Sequence, residues 1–191
     1  MKRSISLLLS IAVAVASLTI RARAEPRPGE VDFGKMGEPD TGGKYIEINL
    51  RRNLISLAAR LVEKQQPEAG KLLRSVELVR VTVLGLTDGN RQATEKRVRE
   101  VRSQLDKQGW ERIVTVQEKS GEDVGIFVKA RGDEALEGLV ITVLDGRKQE
   151  AVLINLVGDI KPEQIAALGE ALHIEQLKKA GESVKKESAG K

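Results

Sequence analysis

The chain of 191 residues has no cysteine, one histidine (His173) and only four aromatic residues: Phe33, Tyr45, Trp110 and Phe127. Without cysteine there are no disulfide staples, thiol nucleophiles, Cys-ligated zinc or Fe–S clusters, and no lipid-modified N-terminal Cys. A single imidazole excludes any site that needs two from one chain. Four aromatics are too few for a base-stacking nucleic-acid platform or an aromatic cage. Long apolar runs are also scarce. The longest, Ile5 to Ile20, spans 16 residues and contains Ser10 and Ser17, short of the ~20 that a spanning helix needs.

That run sits in a tripartite pattern. Lys2 and Arg3 form a charged start, the apolar run follows, and Ala22-Arg23-Ala24 reads as a small-residue cleavage site. Residues 1–24 are therefore expected to be a signal peptide, cleaved after Ala24, that takes the protein to the periplasm or the extracellular space. This changes the meaning of the charge. The full chain has 32 Lys+Arg against 28 Asp+Glu, a formal net charge of +4. Lys2, Arg3, Arg21 and Arg23 supply that whole excess, so the mature chain is balanced at 28 against 28. Phosphate neutralisation calls for clustered bases; none is left over here, and no nucleic-acid partner is expected.

Residues 25–43 hold three of the five prolines and five glycines. Such a composition favours extended and turn conformers, so this segment is expected to be an arm that packs no core. Its large apolar side chains, Val31, Phe33 and Met36, could dock on the domain or on a partner. Residues 181–191 have a single apolar anchor, Val184, and are expected to form a disordered, Lys-rich tail. The 44–180 stretch between them is long enough for a single core.

Within it, Ile46, Ile48 and Leu50 alternate with Tyr45, Glu47 and Asn49, the signature of a half-buried strand. Leu54, Leu57, Ala58, Leu61 and Val62 follow at helical spacing over 51–64, with charged residues opposite. Pro67 ends this helix, and 68–74 adds at most a short turn. A strand is expected over 76–84. After it, Asn90 is the expected N-cap of a helix over 91–108, which buries Val98, Val101 and Leu105 and which Gly109 stops. Four strands are expected at 110–117, 124–130, 138–144 and 149–157, with turns at 120–123 and at Asp145-Gly146-Arg147-Lys148. The last strand is apolar on both faces and should be central. Asp159 then caps a final helix over about 161–180, with Pro162 in its first turn. The order β-α-β-α-β-β-β-β-α predicts an α+β, two-layer domain with a mixed or mostly antiparallel sheet of about six strands and helices on one face.

No chemistry-bearing constellation emerges. His173 near the end of the last helix has no nucleophile or orienting carboxylate patterned beside it. Gly85-Leu86-Thr87-Asp88-Gly89-Asn90 lacks phosphate-loop spacing and reads as a capped turn. Carboxylates such as Glu47, Asp133 and Asp145 cannot be placed at a working separation by sequence. Catalytic, cofactor-binding and metal residues are accordingly expected to be none. The strand period leaves one face polar and rich in threonine: Glu47, Asn49, Arg80, Thr82, Thr115, Gln117, Phe127, Lys129, Thr142 and Asn155. If helices cover the other face, this one is the candidate docking surface for an envelope protein or small ligand.

Three segments carry a family resemblance. Tyr45-Ile-Glu-Ile-Asn-Leu50 with Leu54-Ile-Ser-Leu-Ala-Ala-Arg-Leu-Val62 resembles the opening of a bacterial exported family, domain of unknown function 4252. Gln108-Gly-Trp-Glu-Arg112 is similar to that family's middle. Ala151-Val-Leu-Ile-Asn-Leu-Val-Gly-Asp-Ile-Lys-Pro-Glu-Gln-Ile165 is similar to its closing strand and helix. The resemblance implies a signal sequence and an α+β domain, and it brings no catalytic residues and no cofactor. Many relatives are predicted lipoproteins; this cysteine-free chain departs from them and is expected to have no stable membrane anchor after cleavage. Relatives are often encoded near extracytoplasmic sigma-factor systems. The expected function is thus a non-enzymatic binding or interaction module of the cell envelope. The alternatives are a regulatory partner in a sigma/anti-sigma pathway and an enzyme with an unrecognised carboxylate site.

Overall fold

A computed structural model describes residues 27–36, 43–119, 121–132 and 135–161, together with residues 164 and 167. The expected signal peptide, His173, Asp133, the body of the expected final helix and the tail lie outside these residues.

The described chain is α+β. Six strands form one antiparallel sheet in the order β1-β2-β6-β5-β4-β3: β1 Tyr45–Arg51, β2 Val76–Gly85, β3 Glu111–Gln117, β4 Glu122–Arg131, β5 Ala135–Asp145 and β6 Glu150–Ile160. Three helices accompany it: α1 Arg52–Glu63, α2 Pro67–Ser75 and α3 Arg91–Lys107. The apolar character of β6 on both faces has the expected consequence, since β6 lies between β2 and β5. The last four strands form a meander joined by short turns, whereas α3 carries the chain across the sheet from β2 to the far edge.

Local sequence explains most element ends. Pro67 does more than stop α1. Its fixed φ starts α2, a nine-residue helix where only a short turn was expected. Gly109, at φ +73°, ends α3 in the left-handed conformation that glycine adopts without strain. Asn90 sits at the start of α3 but makes no side-chain cap bond to it. Its amide turns backward instead: Oδ1 accepts from the Thr87 N–H at 2.9 Å, and Nδ2 donates to the Gly85 carbonyl at 3.0 Å. Asp159 lies inside a strand, and the helix it was expected to cap lies outside the described residues. It belongs to β6 and pairs with Arg131 of β4 at 2.5 Å.

The pleat sorts side chains into two cores. On one face Leu84, Phe127, Val140, Leu144, Ala151 and Leu153 pack under Val98, Val101 and Leu105 of α3, joined by Trp110. On the other, Val124, Ile126, Val128, Leu139, Ile141, Ile154 and Leu156 cluster with Leu72 of α2. Helices thus stand on both faces, not on one.

The arm is the main correction. Val31, Phe33 and Met36 are buried in the same core as α3. Proline and glycine keep this stretch extended, but extended backbone can lie on a sheet, and three apolar side chains at spacings of two and three suffice to seat it. Burying side chains of this kind contributes about 1.5–3 kcal/mol each.

Candidate interaction surface

The structure divides the ten residues of the expected open face into two groups. Thr82, Phe127, Thr142 and Asn155 are buried beneath the arm and α3. Arg80 and Lys129 are half-buried at the margin of the same cover. Glu47 and Asn49 on β1, and Thr115 and Gln117 on β3, are exposed at opposite edges of the sheet. They do not form one patch, and the middle of this face is not open.

The polar residues in the middle hold the arm. The Val31 N–H donates to Asn155 Oδ1 at 2.9 Å, and Asn155 Nδ2 donates to the Gly29 carbonyl at 2.9 Å. Arg80 donates to the Val31 carbonyl at 2.7 Å and pairs with Glu30 at 3.0 Å. From α3, Arg97 Nε donates to the Phe33 carbonyl at 2.8 Å. An extended arm has no ladder partner for its backbone, and side chains supply what a neighbouring strand would otherwise give. Arg102 of α3 uses the same logic against the sheet: its Nε donates to Thr142 Oγ1 and its NH1 to Asp123 Oδ1, both at 2.8 Å. The Arg112 guanidinium lies 4.9 Å from the centre of the Phe127 ring, within cation–π range.

A cleft of about 520 Å³ runs along the seam between the arm and α3, lined in part by Arg27, Glu30, Arg97, Gln104, Trp110 and Lys129. Its charged groups are committed to the fold. Glu30 binds Arg80, Arg97 holds the arm, and Lys129 Nζ donates to the Gln108 carbonyl at 2.7 Å. They tie the seam together.

Acid–base candidates are likewise absorbed. Glu47 accepts from the Tyr45 hydroxyl at 2.9 Å, and this bond pushes the Tyr45 phenol above its ordinary value by stabilising its protonated form. Asp145 accepts from the Lys148 and Arg147 amides at 2.9 Å each, which hold its carboxyl below the usual range. One lies on β1 and the other at the end of β5. Among the described residues, no group of three or more His, Cys, Asp or Glu could hold a metal ion.

The surface that does stand out is apolar. Among the described residues, eight large hydrophobic side chains are exposed, and seven of them fall between residues 45 and 61: Tyr45, Ile46, Ile48, Leu50, Leu54, Leu57 and Leu61. The expected burial of α1 through Leu54, Leu57, Ala58, Leu61 and Val62 is reversed for its leucines. Ile55 and Ala59 face the protein, and Leu61 is 67% exposed. The signal was present in the sequence: Leu54, Ile55, Leu57, Ala58, Ala59, Leu61 and Val62 give α1 an apolar arc wider than one packing contact covers. Strand β1 repeats this, with Ile46, Ile48 and Leu50 exposed on one side.

A family model described as a domain of unknown function (DUF4252) matches residues 42–168. The chain belongs to this family. The match begins in the last two residues of the arm, so it includes β1 and the exposed leucines of α1 but not Val31, Phe33 and Met36. No curated protein and no solved structure matches the chain.

Proposed function

We propose that this member of the family is an exported protein of the cell envelope that works by binding a partner, not by catalysis, and that the partner contacts β1 and α1. The exposed apolar run from Tyr45 to Leu61 carries the reading. Scattered surface apolar residues are ordinary, but a concentration in one strand–helix unit costs solvation unless something covers it. The sheet face first expected to dock a partner is filled by the arm, and Glu47 and Asp145 are bonded at a strand edge and a turn. The N-terminal pattern of residues 1–24 supports export.

The test uses the full chain expressed in a Gram-negative host. Intact mass of protein from the envelope fraction should correspond to a chain starting at Glu25. A photo-crosslinking residue placed at Leu57 or Leu61 should form adducts that the same residue at Lys107, on α3, does not. The double variant L57E/L61E should lose the native contact while its far-UV circular dichroism is unchanged, because both side chains are exposed. Equal crosslinking at Lys107, or full binding by L57E/L61E, would remove the reading.

A further inference from the structure

The two outer strands of the sheet differ. Strand β3 meets β4 with a register shift between Arg112 and Val114, and its first two residues are Glu111 and Arg112. Bulges and charges of this kind keep an edge from pairing with another chain. Strand β1 has no such irregularity. All seven residues pair with β2 in unbroken register, none is proline, and all are exposed.

One hydrogen bond sets the phase of the outer edge of β1, which no other described strand pairs. The Gly85 N–H donates to the Lys44 carbonyl at 2.8 Å. Antiparallel ladders alternate, so the backbones of Ile46, Ile48 and Leu50 also turn towards β2, and those of Tyr45, Glu47, Asn49 and Arg51 turn outward. We propose that this edge pairs with β1 of a second copy of the chain, antiparallel, about a two-fold axis at Ile48, so that the two six-stranded sheets become one.

The register follows from the side chains. Centred on Ile48, Glu47 pairs with Asn49 of the second copy and Tyr45 with Arg51 of the second copy, so every outward-facing backbone group finds a partner. Ile48 meets Ile48 of the second copy at a non-hydrogen-bonded position, where side chains approach most closely. Ile46 meets Leu50 of the second copy, and three exposed apolar residues from each copy form one ladder. Glu47 lies diagonal to Arg51 of the second copy, a favourable charge placement. A slip of two residues one way sets Glu47 against its own copy, and like charges directly opposite are destabilising. The slip the other way leaves Tyr45 and Ile46 without partners. The contact is isologous, which closes the assembly at a dimer.

The proposal rests on the reading of the chain as an interaction module, but it concerns the backbone edge of β1 and not the leucines of α1. Protein recovered from expression of the full chain should sediment at twice the monomer mass in the range of about 1 to about 100 μM. Asn49→Pro removes an outward donor and spares the β1–β2 ladder, since proline is tolerated on an edge strand where its missing N–H faces solvent. It should weaken dimerisation at least about tenfold with unchanged far-UV circular dichroism. Because proline could also disturb the strand, Ile48→Cys gives a second reading in this cysteine-free chain. Opposed non-hydrogen-bonded positions place Cα atoms about 4.5 Å apart, within disulfide range. Mild oxidation should link Ile48→Cys into a dimer and leave Ile113→Cys, on β3, unlinked. A monomer at the highest concentration with no Ile48→Cys link overturns the proposal, as does linkage through position 113 alone. In either case, Leu57 adducts to another envelope protein would leave the binding reading standing.

Discussion

The Val31 amide donates to the side-chain oxygen of Asn155 at 2.9 Å, across 124 residues of sequence. Asn155 is fully buried in the central strand β6, and it joins the arm to the middle of the sheet. A buried asparagine needs both ends of its amide satisfied, and the arm satisfies both, with the Gly29 carbonyl accepting from Nδ2. The arm and the domain therefore stabilise one another: removing either leaves buried polar groups without partners.

Replacing Asn155 by leucine should destabilise the protein by about 2–3 kcal/mol, since the Val31 N–H and the Gly29 carbonyl both lose a partner. Urea unfolding measures the loss.

Gly138 of β5 sets how closely the arm can approach. A Cβ at this position would lie 2.5 Å from Trp110 Cη2 and 2.6 Å from Gly29 Cα. Gly138→Ala should lift the arm from the sheet and open the environment of Trp110, which is 7% exposed in the native structure. As the chain has only one tryptophan, its fluorescence reports the event directly. The emission should shift to the red in Gly138→Ala and in Phe33→Ala, and Phe33→Ala should cost about 3–5 kcal/mol. An unshifted emission in both variants would show that the arm does not cover the tryptophan in solution.

Much of the fold was legible because period and punctuation agree. The alternation in Val79, Val81 and Val83, the turn at Asp145-Gly146 and the two-sided apolarity of β6 each had one structural answer. The covered side of the sheet was not legible. A period of two separates faces but does not say which one receives a lid. Here Arg80, Thr142 and Asn155 are polar because they bond an arm and a helix, yet in sequence they look like residues bonded to water. The aliphatic residues Ile46, Ile48 and Leu50 mislead in the opposite sense, since they read as core and lie on an exposed edge strand. Val31, Phe33 and Met36 carry no period long enough to mark an element, so their burial depends on a partner surface built more than 40 residues later.

Arg102 links α3 to β4 and β5, and its side chain is only 10% exposed. Arg102→Met should cost about 2–4 kcal/mol, because Asp123 and Thr142 both lose a charge-assisted donor in a partly buried site. The informative comparison is a double-mutant cycle with Asp123→Asn. If the pair is the main source of the loss, the two changes together should cost less than the sum of the single losses, with a coupling of about 0.5–3 kcal/mol. Strict additivity would place the effect in lost packing of the arginine stem.

Asp145 separates charge from hydrogen bonding at the β5–β6 turn. Its carboxylate accepts from the Lys148 and Arg147 amides and lies 3.7 Å from Lys148 Nζ. These contacts hold its pKa below the ordinary value, with the Lys148 amide bond the largest cause. A depressed pKa means that the folded state releases the proton more readily than the unfolded state does. The resulting stability is fully present above the unfolded value of about 3.9 and is lost as pH falls through the folded pKa. Asp145→Asn keeps an acceptor oxygen but no charge. The gap between wild type and Asp145→Asn should therefore be constant from about pH 8 to pH 6 and close progressively below about pH 5. Asp145→Ala, which removes the acceptor as well, should lose about 1–2 kcal/mol at neutral pH and retain part of that deficit in acid. Guanidinium titrations of the three proteins at neutral and acid pH distinguish the two contributions: a gap between wild type and Asp145→Asn that persists unchanged in acid would mean that the charge does not stabilise the turn.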